Sequence, residues 1–264
     1  MTFDHAFCIP AYGNSPWLGD CIASLKRQQA GNSRIVVITS TPSGELTRVT
    51  REAGVPLIET GQRPGIDSDW NFALTATDAR YVTIAHQDDL YMPHFVAQTR
   101  DAFMRHPDAL LVMTGYAEHT PAGNRSANRN MRVKAILSEW AFLGREAIAS
   151  RSARRRLLCL GNPVCCPSVT IDRVRIPDFR FSGGFRTNLD WDAWIRLADE
   201  PGSFVYLREA LVSKGIHADS ETTATIASSA REAEDRQLFG RFWPAPVVAV
   251  LMRFYRKSYA ANRV

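Results

Sequence analysis

Asp88 and Asp89 are adjacent carboxylates that follow Tyr81-Val82-Thr83-Ile84-Ala85-His86-Gln87, an apolar run of strand type. In an open α/β sheet, ligands bind just beyond the carboxyl ends of the strands. Two acids at such a tip repel each other, so the pair calls for a cation between itself and an anionic ligand. A divalent metal holding a diphosphate meets that need, because hard cations take oxygen ligands and bridge to phosphates. The structural alternative is that both acids cap the helix following Pro93, since negative charge favours a helix N-terminus.

The elements that must position this pair alternate in period. Phe7 to Ala11 reads as a buried strand, Arg34 to Ile38 as a second, Pro56 to Glu59 as a third and Leu110 to Thr114 as another. Between them lie helical stripes. Ser15 and Pro16 open a helix predicted to bury Trp17, Leu18, Cys21, Ile22 and Leu25. Further stripes use Leu46, Val49 and Ala53, then Ile66, Trp70, Ala73 and Leu74, then Phe95, Val96, Thr99, Ala102 and Phe103. Strand-helix alternation predicts a mainly parallel sheet with helices on both faces. Right-handed crossovers then bring the loops after Cys8, Ile38 and Ala85 to one edge. The second half is less regular. Residues 117–130 read as a loop, 138–160 as helical, Ser168 to Ile171 as a strand and Asp190 to Ala198 as a helix after a Gly183-Gly184 turn. Phe204 to Leu207 and Leu211 to Ile216 read as a hairpin, and two helices broken by Pro244 and Pro246 close the chain.

The 264 residues suffice for one large α/β domain with an appendage. Five cysteines, Cys8, Cys21, Cys159, Cys165 and Cys166, lack metal-type spacing and read as reduced thiols of a cytoplasmic protein. No signal peptide and no run of roughly 20 apolar residues are visible. The net charge of +5 is uneven: four arginines lie between Arg151 and Arg156, and Arg241 to Val264 carries five basic residues and no acid. Such patches suit phosphates or anionic lipid, or are solvated faces.

Five segments in order resemble the family-2 glycosyltransferases of the GT-A fold, over roughly residues 5–220. They are Cys8-Ile9-Pro10-Ala11-Tyr12 with the helix after it, Trp70-Asn71-Phe72-Ala73-Leu74, Gln87-Asp88-Asp89, Asp190-Trp191-Asp192-Ala193-Trp194-Ile195-Arg196-Leu197, and Ile216-His217. The resemblance implies an α/β, Rossmann-like fold. Its GT-A domain spans 1–220, with a nucleotide-binding half at 1–116, an acceptor-binding half at 117–220, and a C-terminal helical extension at 221–264. It further implies transfer of a sugar from a nucleotide diphosphate sugar, a UDP-sugar foremost, to a hydroxyl of a glycan or lipid-linked acceptor, with Mn2+ or Mg2+.

Residue by residue, the resemblance makes Asp89 the direct metal ligand, Asp88 a ligand of ribose or of the metal through water, and His217 a third ligand or a contact of the diphosphate. Asp190 becomes the general base, a role typically contributing about 10²–10⁴-fold; the bland alternative is a helix cap beside Asn188. Pro10, Ala11, Tyr12, Thr39, Asp69, Asn71 and His86 are assigned to the nucleotide side, and Trp191, Asp192 and Gly184 to the acceptor. Inversion by direct displacement is expected. So are a cytoplasmic setting against the inner membrane surface and a homodimer, with no nucleic-acid partner.

Two departures stand out. Thr39-Ser40-Thr41-Pro42-Ser43 replaces the acids that family members carry after the second strand, and His86 replaces the first acid of the metal motif. Both bear on the nucleobase. A sugar nucleotidylyltransferase, the first rival, wants a glycine-rich, basic loop after the first strand, where this chain has Pro10-Ala11-Tyr12-Gly13-Asn14-Ser15. The second rival, a non-catalytic binding module, needs no metal.

Overall fold

The computed structural model describes residues 4–29, 33–125, 128–182, 184–217 and 229–260. A ten-stranded sheet in the order β3-β2-β1-β4-β9-β6-β10-β5 carries every other element, with β7 paired to β6 and β8 to β10. The strands are β1 (His5–Pro10), β2 (Arg34–Thr39), β3 (Leu57–Glu59), β4 (Tyr81–Ile84), β5 (Leu90–Tyr91), β6 (Ala109–Thr120), β7 (Gly123–Arg125), β8 (Ala147–Ile148), β9 (Val169–Asp172) and β10 (Ser203–Gly215). β1, β2, β3 and β4 are parallel, and β6 and β10 run in the same direction. β9 lies antiparallel between β4 and β6 and joins the two halves into one sheet.

Period-two alternation decides what covers each face. Ala6 and Cys8 of β1 face a core shared with α3 (Ile66–Thr75), α6 (Arg151–Leu158) and α7 (Leu189–Leu197). Phe7 and Ile9 face a second core under α1 (Leu18–Lys26), α2 (Gly44–Glu52) and α4 (Phe95–Arg105). α5 (Arg129–Phe142) packs beside α6; α8 (Ser229–Phe239) and α9 (Ala245–Ala260) seal the α7 side through Leu238, Phe239, Val248 and Met252. Caps fix several starts, with Ser43, Asn128 and Ser150 each accepting a hydrogen bond from a first-turn N–H.

Several expectations are corrected here. The region 117–130 is not a loop: β6 runs on to Thr120 and turns into β7, since β10 pairs with it as far as His119. The hairpin over 204–216 is one long strand, kept continuous by register shifts near Leu207 and Ala210 instead of a turn. Gly115 makes the shift sterically admissible, because a Cβ there would stand 2.5 Å from the Arg208 carbonyl. The stretch 138–160 splits into α5, β8 and α6. α1 does not bury Trp17, which precedes the helix and lies half-exposed with its ring 5.5 Å from that of His217.

Candidate active site

The loop leaving β4 is pinned from three sides. Gln87, 7% exposed, accepts from the Tyr12 N–H (3.2 Å) and donates to the Tyr12 carbonyl (3.4 Å), tying it to the loop after β1. Cys21 of α1 donates its thiol to the His86 carbonyl. On the far side the end of β10 closes in: the Gly215 N–H donates to Asp89 Oδ1 at 2.8 Å. A Cβ on Gly215 would stand 2.3 Å from the Asp88 carbonyl, so only glycine permits that approach.

The result is a constrained cluster in which His86, Asp88 and Asp89 each offer a ligand atom, all within 4.8 Å of one another. Asp89 is 1% exposed, and its Oδ2 is buried without a hydrogen-bond partner, 3.8 Å from His86 Nδ1. Burial, with Asp88 beside it, holds the Asp89 carboxyl well above the usual carboxylate range. Burial lowers the His86 imidazole to about 4, so the ring is neutral near pH 7 and able to ligate. Its ring lies 5.3 Å from that of Trp70. His217 Nε2 is 3.0 Å from Asp88 Oδ2. The residues present therefore fit a divalent cation, through two carboxylates and a neutral imidazole around an oxygen that nothing else satisfies. His86, assigned by sequence to the nucleotide side, joins the cluster.

A second acid stands in the first turn of α7. Asp190 accepts from Asn162 Nδ2 and from the Trp191 N–H, both at 2.8 Å. Burial raises its carboxyl above the usual range, while nearby Lys134, Arg231 and Lys214 pull it back. The loop before it is held by α8: Glu234 accepts from the Arg186, Thr187 and Asn188 N–H groups and the Thr187 hydroxyl, and Asp235 accepts from Asn188 Nδ2.

The sequence profile of Glycosyl transferase family 2 matches residues 6–176. The chain belongs to glycosyl transferase family 2. Among solved structures, the mannosyltransferase PcManGT from Pyrobaculum calidifontis, in complex with GDP-Man and Mn2+, superposes with a TM-score of 0.65 at 13% identity, over 99% of this chain and 74% of that one. S. aureus TarS 1-349 with UDP-GlcNAc gives 0.62 at 13% identity, over 92% and 71%. Glucosyl-3-phosphoglycerate synthase from Mycobacterium tuberculosis with phosphoglyceric acid gives 0.57 at 16%, over 90% and 79%. At these identities the likeness is one of fold. No curated protein matches the chain.

Within this family-2 frame the remaining sequence assignments separate. Pro10 ends β1, and Ala11 and Tyr12 open the loop at the cluster's edge, with the Ala11 N–H donating to the Ile38 carbonyl. Asp69 reaches the loop after β2, accepting from Ser40 Oγ at 3.0 Å, and its other oxygen is buried and unpartnered. Burial raises its carboxyl above the usual range. Others are absorbed by the fold. Thr39 is fully buried, its hydroxyl accepting from the Thr41 N–H. Asn71 spends both amide atoms on the Phe181 backbone (2.9 and 2.7 Å), clamping α3 to the loop that precedes α7.

Trp191 has no exposed surface; its Nε1 donates to the Leu158 carbonyl and its ring packs on Phe239 and Tyr255, so it cannot stack on a sugar. Asp192 is 1% exposed, with one oxygen on Arg196 (2.9 Å) and the other on Arg241 (2.7 Å). Gly184 is exposed beside Ser182, and Gly183 lies outside the described residues. The arginine cluster is equally committed. Arg154 is buried among the Ala149, Ala198, Glu200 and Gly202 carbonyls, Arg151 and Arg155 pair with Asp199, and Arg156 donates to the Ala141 carbonyl.

Sequence reasoning missed Gln87 as a brace, Gly215 as a close-approach glycine, Asn162 and Lys134 beside Asp190, and Glu234. Only Gly215 carried a local signal, being a glycine at the end of a strand pattern.

Proposed function

We propose that the chain transfers a sugar from a nucleoside diphosphate sugar to a hydroxyl of a glycan or lipid-linked acceptor, with inversion and a bound divalent metal. The observation carrying this is the buried, unpartnered oxygen of Asp89 beside Asp88 and His86 at the carboxyl edge of β4. These three residues, with His217 against Asp88, would hold Mn2+ or Mg2+. The ion, when bound, supplies Lewis-acid stabilisation of the diphosphate.

Each remaining role falls to the chain itself. Residues 1–116 bind the nucleotide and 117–220 the acceptor. Asp69 Oδ1 offers an acceptor for a base N–H, compensating for the acids missing after β2, and a UDP-sugar is the donor we favour. Lys214, close enough to Asp88 and Asp89 to be influenced by both, adds positive charge where the leaving group's charge collects. Asp190 takes the proton of the acceptor hydroxyl as that oxygen bonds to the anomeric carbon; the carbon–oxygen bond to the diphosphate breaks and its electron pair leaves with the nucleotide. A carboxyl raised by burial is a stronger base than an exposed one, and Asn162 fixes its orientation. The loop after β1 has no Lys or Arg, which disfavours nucleotidyl transfer.

Calorimetry with UDP, GDP and their sugars, with and without Mn2+, tests the reading. Binding that requires Mn2+ is expected. Sugar or nucleotide binding indifferent to Mn2+ would favour a metal-free binding module.

A further inference from the structure

α5 is apolar on the wrong side as well as the right one. Its inward face buries Ser138, Ala141 and Phe142. Nearly opposite, at i, i+3 and i+7, Val133, Ile136 and Trp140 are 46%, 66% and 43% exposed, and Leu143 at the C-cap continues the stripe at 62%. Single exposed apolar residues need no explanation; a contiguous stripe does. Leu143 sharpens the point. It adopts a left-handed backbone (φ 51°), a conformation that costs a side-chain-bearing residue about 1 kcal/mol and that glycine adopts freely. In the isolated chain that side chain stays mostly in solvent.

α9 has the same construction. Val248 and Met252 face the core, while Val247, Val250 and Phe254 face outward at 37%, 51% and 67% exposure. The two helices share a neighbour: α5 packs on α6, and α9 meets the turn just after α6, with Tyr255 against Gly161. Among the described residues no helix is long and apolar enough to cross a membrane, so the stripes are not parts of a span.

Charge selects the occupant. Arg129, Arg132 and Arg145 lie exposed along and beside the α5 stripe, and Arg253 beside that of α9. Glu139, the acid on this side of α5, is paired with Arg208. A second copy docked face to face would gather both copies' arginines into one contact, and Glu139, already paired, leaves no acid of α5 to answer them. An anionic lipid surface accepts both features: apolar side chains enter the headgroup boundary while arginines meet lipid phosphates.

We propose that the outward face of α5, aided by that of α9, docks this protein on an anionic lipid bilayer surface. Lys134, on the opposite, inward side of α5, lies near Asp190, so the docked helix would stand between the bilayer and the acceptor side of the site. That last consequence rests on the transfer reading; the surface itself does not.

The test is co-sedimentation of the full chain with phosphatidylcholine vesicles, with and without phosphatidylglycerol. The chain is expected to pellet only with the anionic vesicles, and less so as salt rises. Ile136→Ser combined with Trp140→Ser should weaken pelleting by about tenfold or more, and Val250→Ser with Phe254→Ser by a smaller factor. Mn2+-dependent binding of UDP, measured on the same samples, verifies that each variant is folded. Were Mn2+-dependent binding of both UDP and GDP absent from the wild type, the transfer reading would fail while the vesicle result stood. Three outcomes overturn the docking surface: a wild-type chain left in the supernatant, pelleting unaffected by the α5 variant, or a dimer in sedimentation equilibrium that the same variant dissociates.

Discussion

The tip of β4 and the first turn of α7 each present two acids, and the fold treats the two pairs differently. At β4 both Asp88 and Asp89 stay in the cluster: Asp88 leans on His217, and Asp89 keeps one oxygen unpartnered. At α7 the pair is split by helical rotation. Asp190 turns toward Asn162 and Lys134, while Asp192 turns inward, where Arg196 and Arg241 take both its oxygens. What separates a chemical carboxylate from a structural one is the partner of each oxygen, a property no spacing rule records.

The largest effect expected from this contrast is at Asp89. Asp89→Asn removes the charge while leaving an oxygen for the Gly215 N–H, so the loop should keep its shape. Mn2+-dependent nucleotide affinity is expected to fall by about a hundredfold or more, beyond the loss typical of removing an outer partner of a metal ligand. Calorimetry measures it, and unchanged affinity would place the cation elsewhere. Next comes Asp190→Asn, expected to lower the transfer rate by about 10²–10⁴-fold while donor affinity stays as in the wild type. A mutant transferring at the wild-type rate would take the base role from Asp190 and erase the difference between the two members of the α7 pair.

Asp192→Ala reads the opposite role. It strands two guanidinium groups, both partly in solvent, so the cost is below that of a fully buried pair, about 1–3 kcal/mol of unfolding free energy. Denaturant unfolding measures that loss; nucleotide affinity should not change. A variant as stable as the wild type but defective in transfer would return Asp192 to the acceptor site.

Where the sequence was legible, the information was local. The β1 to β4 half follows from alternation of period, and Asp88-Asp89 is conspicuous because two charges end an apolar run. Where it was not legible, the partner lay far along the chain. Gly215 meets Asp89 across 126 positions and Gln87 meets Tyr12 across 75. β9 reverses direction between β4 and β6, which short apolar runs do not encode. Arg151 to Arg156 read as a basic patch because composition counts charges and does not show that Arg154 enters a cage of carbonyls at the end of α7. Trp191 read as an acceptor contact because its motif position says nothing about which way a helix faces.

The finest test lies in the surroundings of Asp190. Lys134 sits over the Tyr116 ring at 5.6 Å, and burial lowers its ammonium from the ordinary lysine value. Its charge pulls the Asp190 carboxyl down, against the burial that raises it. A base works only when deprotonated, so transfer is lost as pH falls through the Asp190 pKa, and the acid limb of the rate profile should lie above the ordinary aspartate value of 3.8. Lys134→Met removes the opposing charge with little change of shape. The carboxyl then rises further and the acid limb moves to higher pH, while the rate on the alkaline plateau changes least. An acid limb that stayed in place would show that Lys134 does not tune Asp190. A limb that moved down would reverse the sign of the interaction and place the lysine's charge on some other group.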